Sequence, residues 1–324
     1  MGTVNKPLLS RRQFNARCAA LGLAAAGALQ SLQRSAAVLA AEDGPPRTAP
    51  RTVKFPEGTT VPALGQGAWH LGQGRHPPAV EEDAMRTGVS LGMMLIDTSG
   101  NYGDGRSEQF IGRAMAGQRD RIYLVSKVES DQVEGNGIAR ACDASLARLK
   151  TDHLDLYLLH SPVPTKQFAG VVAAFEKLRA AGKIRTWGVS NFDMRQMEDL
   201  FRVPDGPRCA TNQVAYSLRN RGIERDVLPW CRQHKIPVMA YSPLGGDNSP
   251  LVKDPTLAKI GAAHECSAAA VALAWAIRDG NIIAIPESGT PAHTKVNAEG
   301  LSVALTPQDM QALAGAYPGP AGAS

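Results

Sequence analysis

The sequence predicts an α/β protein, a (β/α)8 barrel of the TIM type with an N-terminal β-hairpin, and two observations support this prediction. Apolar, β-branched runs recur eight times after residue 51, and segments of helical periodicity lie between them. Nearly continuous apolar strands that alternate with helices are typical of a parallel sheet covered by helices. Eight such units in about 275 residues agree with the usual barrel size of about 250 residues.

The first feature along the folded part is a predicted hairpin at 51–62, in which Pro56, Glu57 and Gly58 separate two extended segments. We expect this hairpin to cover the floor of the barrel. The eight strands then follow in order. They are predicted at 63–69, 95–99, 122–128, 154–160, 186–191, 210–216, 237–244 and 282–288.

Two helices between these strands are well marked by apolar spacings of three and four residues. The first stripe consists of Ile138, Ala141, Cys142, Ser145, Leu146 and Leu149. The second consists of Phe168, Val171, Val172, Phe175 and Leu178, and Gly182 follows as a predicted helix stop. The connection between the seventh and eighth strands is the longest, which predicts an enlarged loop or extra helix over the active face.

A doubly wound open sheet is the competing architecture. It would place a G-x-G-x-x-G turn after the first strand. The chain has Gly65 and Gly67 there, but the third glycine is absent and no helical pattern follows directly.

The charge of the chain is concentrated at its start. Its 324 residues carry 35 Lys and Arg against 30 Asp and Glu, a formal charge of +5. Residues 1–41 contain no acidic residue and five of the basic ones, which are Lys6, Arg11, Arg12, Arg17 and Arg34. Removing those five leaves 30 basic and 30 acidic residues at 42–324. This balance argues against a nucleic-acid partner.

Residues 1–41 have the organisation of a secretory signal. Ser-Arg-Arg-Gln-Phe at 10–14 precedes a mild apolar stretch at 18–29, and small residues follow. The paired arginines resemble the twin-arginine type of signal, so we expect the twin-arginine export machinery as a partner and a periplasmic location. The apolar stretch is shorter than the roughly 20 residues of a membrane span, so no stable anchor is expected.

The sequence therefore divides into a signal peptide at 1–41, a proline-rich linker at 42–50 and a barrel at 51–324. Cleavage is predicted near 38–40, and an uncleaved N-terminal arm is the alternative. The four cysteines beyond the signal lack paired spacing, so we expect buried thiols and no metal site, with oxidation of one pair in an exported protein as the alternative. They are Cys142, Cys209, Cys231 and Cys266.

Polar residues stand at the ends of three consecutive predicted strands. Asp97 ends the second, Lys127 lies near the end of the third and His160 ends the fourth. Because βα loops converge at the carboxyl face of a barrel, and a buried charge is costly unless it is paired, these groups should meet there. Tyr102, in the loop after Asp97, can fold over the same mouth. Each residue alone is weak evidence, but their consistent placement favours a catalytic site.

These motifs together resemble the aldo-keto reductase family of barrel oxidoreductases across residues 60–318. The segments that carry the resemblance are Asp-Thr-Ser-Gly-Asn-Tyr-Gly at 97–103, Val-Ser-Lys at 125–127, Leu-Asp-Leu-Tyr-Leu-Leu-His at 154–160, Gly-Val-Ser-Asn-Phe at 188–192, Asn-Gln-Val at 212–214, Ala-Tyr-Ser-Pro-Leu at 240–244 and Ile-Pro-Glu-Ser at 285–288. Within the family, the similarity is to bacterial reductases of methylglyoxal and other small aldehydes.

The resemblance implies NAD(P)H-dependent reduction of an aldehyde or ketone to an alcohol. It makes Tyr102 the proton donor and Lys127 the cation that lowers the pKa of the phenol. It also has Asp97 hold Lys127 in its charged form and His160 hydrogen-bond the substrate oxygen. A dehydrogenase running in the oxidative direction and a non-catalytic cofactor-sensing subunit are the alternatives.

The resemblance also assigns residues to a nicotinamide cofactor. Ser190, Asn191 and Gln213 match the groups that hold the carboxamide, and Tyr241 matches the aromatic residue that stacks on the nicotinamide. The remaining cofactor positions are Ser242, Leu244, Glu287, Ser288, His293 and Asn297.

Two of these positions depart from the pattern associated with NADPH. Glu287 stands where a lysine is common, and His293 stands where an arginine clasps the 2′-phosphate. A carboxylate repels that phosphate but accepts a hydrogen bond from a ribose hydroxyl. NADP(H) is thus implied by the family, and NAD(H) use is predicted from Glu287. An alternative is that Glu287 points to solvent and Lys295 compensates.

The substrate pocket is predicted to contain Trp69, Tyr102 and His160. Ser161 replaces a tryptophan that many relatives carry after the histidine, which predicts a wider mouth. With few other aromatic residues available, a small carbonyl substrate is expected, and a monomer.

Overall fold

The computed structural model describes residue 49 and residues 51–320. The predicted signal peptide at 1–41 and all but residue 49 of the predicted linker lie outside these residues. None of the described helices is long and apolar enough to cross a membrane.

The described chain begins with a two-stranded hairpin. Strand β1 (Thr52–Lys54) pairs antiparallel with β2 (Thr60–Pro62), with Val53 opposite Val61. The ring of Phe55 is buried and stacks on Tyr123 at a centroid distance of 5.2 Å. Tyr123 begins a strand of the main sheet, so this contact joins the hairpin to the amino-terminal edge of that sheet. That the hairpin covers the barrel floor stays a prediction.

The main sheet has eight parallel strands that pair in sequence order. They are β3 (Gln66–Gly67), β4 (Leu95–Asp97), β5 (Tyr123–Val128), β6 (Leu154–Leu159), β7 (Ile184–Ser190), β8 (Asn212–Ala215), β9 (Val238–Tyr241) and β10 (Ile282–Ala284). The sheet closes on itself, because the backbone NH of Gly65 donates to the carbonyl of Ala284 at 2.8 Å and that of Ala284 donates to Ala63 at 2.8 Å. This closure confirms the barrel and excludes the open doubly wound sheet.

Ten α-helices surround or extend the barrel within the described residues. They are α1 (Pro78–Ser90), α2 (Arg106–Ala114), α3 (Gly137–Leu149), α4 (Phe168–Ala180), α5 (Met194–Arg202), α6 (Val227–Gln233), α7 (Pro255–Ala263), α8 (Ala268–Ala276), α9 (Pro291–Glu299) and α10 (Pro307–Ala316).

Both helical stripes predicted from the sequence are confirmed. All five apolar residues of the stripe in α4 are buried, and Gly182 follows the helix with φ +72°. Phe175 from this helix stacks on Trp187 of β7 at 5.5 Å and meets Tyr157 of β6 edge-on at 5.9 Å. The apolar stripe therefore packs the helix against two neighbouring strands, which burial of large aromatic surface stabilises.

Several strands are shorter than predicted, and the loss is greatest at their carboxyl ends. The predicted strand at 63–69 keeps only β3, and those at 237–244 and 282–288 end at Tyr241 and Ala284. The apolar residues just beyond these ends line a cleft at the carboxyl face, and among them Ile285 still donates its backbone NH to the carbonyl of Ala240 at 3.0 Å. The hydrophobic pattern therefore continued into the lining of the cleft and did not mark where each strand ends.

The long connection before the last strand contains both predicted features. It carries α7 and α8, which is one helix more than the βα alternation requires, and the segment at 242–253 contributes to the lining of the cleft. Of the cysteines, Cys142, Cys209 and Cys231 are buried free thiols.

Candidate active site

The four predicted catalytic side chains converge at the carboxyl face of the barrel. Asp97 is the last residue of β4, Lys127 is the fifth residue of β5, and His160 follows β6 directly. The register places Asp97 opposite Val125, two residues before Lys127, and Lys127 opposite Leu158, two residues before His160. Tyr102 reaches the same place from the loop after β4.

These groups adjoin a cleft of about 1060 Å³. Asp97, Tyr102 and His160 line it directly, whereas Lys127 lies beneath and is only 1% exposed. The volume is at the upper end of the range for ligand sites in proteins.

Lys127 is fully hydrogen-bonded despite its burial. Its Nζ donates to Oδ2 of Asp97 at 2.8 Å, to the carbonyl oxygen of Thr98 at 2.8 Å and to Oη of Tyr102 at 3.0 Å. An ammonium group has three protons, and all three are used here. A buried ion pair repays its desolvation only with such complete bonding, which fixes the lysine beside the phenol.

The charge state of Lys127 agrees with the prediction. Burial lowers the pKa of its amine, but Asp97 and then Tyr102 outweigh burial and raise that pKa above its ordinary value. The lysine is therefore a cation across the physiological range.

The predicted shift of Tyr102 was wrong in its direction. Burial raises the pKa of the phenol above its ordinary value of 10.0, and although Lys127 acts to lower it, Asp97 acts to raise it further. Desolvation of the phenolate thus outweighs the neighbouring cation. The phenol remains protonated at neutral pH and is available as a proton donor.

Asp97 has a second partner that the sequence did not reveal. Its Oδ1 accepts a hydrogen bond of 2.8 Å from Nε2 of Gln213, which belongs to β8. Gln213 was assigned to the cofactor through the family resemblance, and it also orients the carboxylate that holds Lys127. The two residues are 116 positions apart in the chain, and no local pattern signals such a contact.

His160 also has a partner that was missed. Its Nδ1 contacts Oε1 of Glu129, and Oγ of Ser99 lies 3.4 Å from the same nitrogen and donates to Glu129 at 3.3 Å. Burial raises the pKa of Glu129, but its hydrogen bonds with His160 and Ser99 and the charges nearby bring that pKa below its ordinary value. The signal available in the sequence was an acidic residue just past a buried strand end.

The residues predicted to hold the carboxamide form one connected network. Nδ2 of Asn191 donates to the carbonyl oxygen of His160 at 3.1 Å, and Oη of Tyr241 donates to Oδ1 of Asn191 at 3.0 Å. Oγ of Ser190 donates to the carbonyl oxygen of Gln213 at 2.9 Å. Asn191 has φ +62°, a left-handed conformation that asparagine tolerates better than most residues.

A capping box begins the helix after this network. The side chain of Asp193 accepts from the backbone NH of Gln196 at 2.8 Å, and the side chain of Gln196 accepts from that of Asp193 at 3.0 Å. This reciprocal pair starts α5 immediately after the network and so limits where Asn191 can move.

The remaining predicted cofactor residues divide into two groups. Ser242, Leu244 and Glu287 line the cleft together with Ser190, Asn191, Gln213 and Tyr241. Ser288, His293 and Asn297 are not among its lining residues. Oγ of Ser288 donates to the carbonyl oxygen of Thr290 at 2.9 Å, and Asn297 is buried within α9. The roles of all of them in cofactor binding stay predictions.

Glu287 does not simply point to solvent. Its carboxylate accepts from the backbone NH of His70 at 2.9 Å and lies 3.0 Å from Nδ1 of the same residue. His70 also lies 3.8 Å from Asp247 in the loop after β9. The contact of Glu287 with His70 joins the segment after β10 to the loop after β3.

Trp69, the predicted pocket wall, is 55% exposed and lines the cleft. Its ring lies 4.2 Å from that of His70. Ser161 does not line the cleft, so a wider mouth at that position is not supported by the lining.

The fold and site define a class of protein, namely (β/α)8 barrels in which a tyrosine is hydrogen-bonded to a buried lysine at the carboxyl face. Residues 63–318 match the Aldo/keto reductase family, and the chain belongs to that family. It is 46% identical over 275 residues to "Methylglyoxal reductase YeaE" of Escherichia coli (strain K12), covering 84% of this chain and 96% of that protein.

Solved structures give the same result. The aldo/keto reductase from Klebsiella pneumoniae in complex with NADP and acetate is 42% identical, with a TM-score of 0.81 over 85% of this chain and 98% of that one. An aldo-keto reductase of the same organism in complex with NADPH is also 42% identical and has a TM-score of 0.81, over 86% and 98%.

Proposed function

We propose that this protein is an NAD(P)H-dependent reductase of small carbonyl compounds such as methylglyoxal. The observation that carries the proposal is the contact of Tyr102 with Lys127 at the cleft, within the Asp97 and His160 arrangement. Carbonyl reduction needs a hydride at the carbon and a proton at the oxygen. A reduced nicotinamide supplies the hydride when it is bound.

The protein supplies the proton and stabilises the charge. Tyr102 donates its phenolic proton to the carbonyl oxygen as negative charge develops there. The phenolate that remains lies 3.0 Å from the Lys127 ammonium, which stabilises it without any movement. Asp97 keeps that lysine charged and fixed.

The residues present fit a nicotinamide dinucleotide. Amide and hydroxyl groups of Ser190, Asn191 and Gln213 surround the cleft near Tyr102, and Tyr241 offers an aromatic side chain beside them. Beyond β9, the chain turns at Ser242, Gly245 and Gly246, all with positive φ. Such turns expose backbone amides that suit a phosphate group.

The proposed substrate class rests on the relative and on the cleft. The 46% identical relative is named for methylglyoxal reduction. Among the aromatic residues that line the cleft here are Trp69, Tyr102 and Tyr241, and Tyr241 is assigned to the cofactor. Little aromatic surface remains for a large substrate.

We propose NADP(H) as the cofactor, with NAD(H) also accepted. The solved relatives that contain NADP or NADPH support the first part. Glu287 supports the second, because a carboxylate at the cleft disfavours an additional phosphate.

The decisive experiment compares wild type with Tyr102→Phe. Nicotinamide absorbance reports turnover with a panel of small aldehydes, and fluorescence titration reports NADPH binding. We expect Tyr102→Phe to lose turnover by about 10²- to 10⁴-fold while NADPH binding persists. Turnover equal to wild type would remove Tyr102 from the mechanism, and absence of turnover in the wild type with every carbonyl would contradict the proposed function.

We further propose that the protein is exported to the periplasm by the twin-arginine machinery and acts as a monomer. The paired arginines at 11 and 12 and the acid-free composition of residues 1–41 support export. The family match begins at residue 63, so these residues lie outside the shared barrel.

A further inference from the structure

The loop that carries Tyr102 lies directly against Arg148, a residue of α3 that has no place in the proposed reaction. Two glycines allow this approach, one on each side of Tyr102 in the chain. A Cβ on Gly105 would lie 2.6 Å from Cδ and 2.8 Å from Nε of Arg148, and a Cβ on Gly100 would lie 3.0 Å from its Nη2. All three distances are shorter than ordinary van der Waals contact, so the arginine occupies space that side chains at these positions would need.

A buried carboxylate holds this arginine in place. Its Nε donates to Oε2 of Glu108 at 2.5 Å, and its Nη2 donates to Oγ of Ser145 at 3.3 Å. The side chain of Glu108 is fully buried. Because a buried charge that loses its partner is costly, the guanidinium of Arg148 is fixed beside the carboxylate.

The same carboxylate is bonded to the strand that carries Lys127. Oε1 of Glu108 accepts from Oγ of Ser126 at 2.6 Å, and Ser126 directly precedes Lys127 in β5. The pair of Glu108 and Arg148 thus contacts both β5 and the loop of Tyr102. The hydrogen bond of 3.0 Å between Lys127 and Tyr102 joins those same two segments. The ion pair is therefore placed to set the distance between them.

We infer that Arg148 is a positioning residue for proton donation. Held by Glu108, it supports the loop on both sides of Tyr102 and keeps the phenolic oxygen beside Lys127. Neither Arg148 nor Glu108 lines the cleft, so the pair acts through Tyr102 and not by contact with substrate or cofactor. The inference rests on the proposed function and extends its machinery to α2 and α3.

Carbon NMR tests the positioning without any turnover. The chain has six tyrosines, so protein labelled with ¹³C at tyrosine Cζ gives few signals, and that of Tyr102 is identified by its loss in Tyr102→Phe. We expect Arg148→Met to shift or broaden the Tyr102 signal, because the ring is no longer held at a fixed distance from the ammonium of Lys127. The signals of Tyr216 and Tyr317 should stay unchanged and serve as internal references. An unchanged Tyr102 signal in the folded variant would overturn the inference.

Kinetics test whether the arginine acts through the phenol. Arg148→Met should lower kcat by about 10- to 100-fold, because a small displacement of a reacting group has an effect of this size. The dissociation constant of NADPH, measured by fluorescence, should stay unchanged. In the Tyr102→Phe background there is no phenol to position, so the same change should lower the residual turnover by less than about 2-fold. Equal proportional losses in the two backgrounds would show that Arg148 supports only the fold, and would overturn the inference.

A double variant, Glu108→Gln with Arg148→Met, separates positioning from loss of the fold. It removes the buried charge together with its partner, so its thermal unfolding should return toward that of the wild type. Its kcat should stay low and its Tyr102 signal should stay displaced. Return of both to wild-type values would show that only the uncompensated charge of Glu108 mattered, which also overturns the inference.

The matched control is Arg140→Met, the same substitution at an exposed arginine of α3. It should leave kcat and the Tyr102 signal unchanged, and losses equal to those of Arg148→Met would contradict a specific role for Arg148. Absence of turnover in the wild type with every carbonyl would contradict the proposed function, whereas the Tyr102 signal would still decide whether Arg148 positions the phenol.

Discussion

Lys127 donates a hydrogen bond of 3.0 Å to the phenolic oxygen of Tyr102. The same ammonium is 4.6 Å from the centre of the tyrosine ring, so it faces the phenol closely and from a defined direction. Any negative charge that forms on Oη appears next to a positive charge already in place. Since neither group must move or shed water at that moment, the arrangement stabilises the product of proton donation more than the resting phenol.

Replacing the lysine should therefore impair both catalysis and stability. We expect Lys127→Met to lower kcat for carbonyl reduction by about 10²- to 10⁴-fold, because the phenolate loses its cation. It should also destabilise the fold by about 3–5 kcal/mol, because Asp97 is left as a buried charge without its partner. Steady-state kinetics and urea unfolding measure the two effects.

The double variant Lys127→Met with Asp97→Asn separates these effects. It removes the uncompensated carboxylate, so most of the stability should return while kcat stays low. Recovery of kcat together with stability would show that the lysine acts only through the fold.

The alkaline limit of activity should lie above the ordinary pKa of tyrosine. The pKa of Tyr102 is raised by burial and that of Lys127 is raised by Asp97 and Tyr102, so both protons are held beyond their usual values. The pH dependence of kcat/KM reports groups of the free enzyme. We expect no loss from these groups between neutral pH and about pH 10, and a fall only above it.

Samples returned from each pH to neutral distinguish titration from unfolding. The opposite outcome is a reversible fall in kcat/KM centred well below pH 10 in the wild type that is missing from the residual activity of Tyr102→Phe. Such a result would show that the charge of Lys127 outweighs burial and lowers the pKa of the phenol.

Cofactor preference should respond to the charge at position 287. Lys253 is the only lysine or arginine among the described residues that line the cleft, whereas Asp97, Asp247 and Glu287 are carboxylates there. We expect Glu287→Lys to raise the ratio of kcat/KM for NADPH over NADH by about 10- to 100-fold, through reversal of one charge near the phosphate.

Glu287→Gln is the matched control, since it removes the charge and retains groups that can bond to His70. It should give a smaller rise of the same sign. The wild type could instead prefer NADPH strongly, with the same ratio of kcat/KM in both variants. That result would show that the carboxylate of Glu287 bonds only to His70 and takes no part in cofactor choice.

The architecture and the central residues were predictable because each has a strong local signal. A buried strand that ends in Asp, Lys or His is unusual, and three such strands in succession can meet only at one face of a barrel. Helix α4 was equally clear, because the spacing of Phe168 to Leu178 allows one buried face. Strand ends were not predictable, since apolar residues line the cleft as readily as they fill the sheet.

Polar contacts between residues that are distant in the chain have no such local signal in the sequence. Gln213 orients Asp97 across 116 positions, and Glu129 meets His160 across 31. The direction of the pKa shift of Tyr102 was also missed, because it depends on the balance between burial and the charge of Lys127. Residue types reveal which charges are present, whereas the depth of each group comes only from the fold.

The proposed export makes a prediction about residues 1–41 that the barrel itself does not test. Mass spectrometry of the protein from fractionated cells should find a chain that begins near residue 41 in the periplasmic fraction. Replacing both Arg11 and Arg12 by lysine should leave the full-length chain in the cytoplasm, because the paired arginines are the recognised feature of the signal. The variant keeps the charge of the segment, so a general loss of positive charge cannot explain the result. Full-length wild-type protein confined to the cytoplasm would contradict export, and equal export of the double-lysine variant would contradict the twin-arginine route.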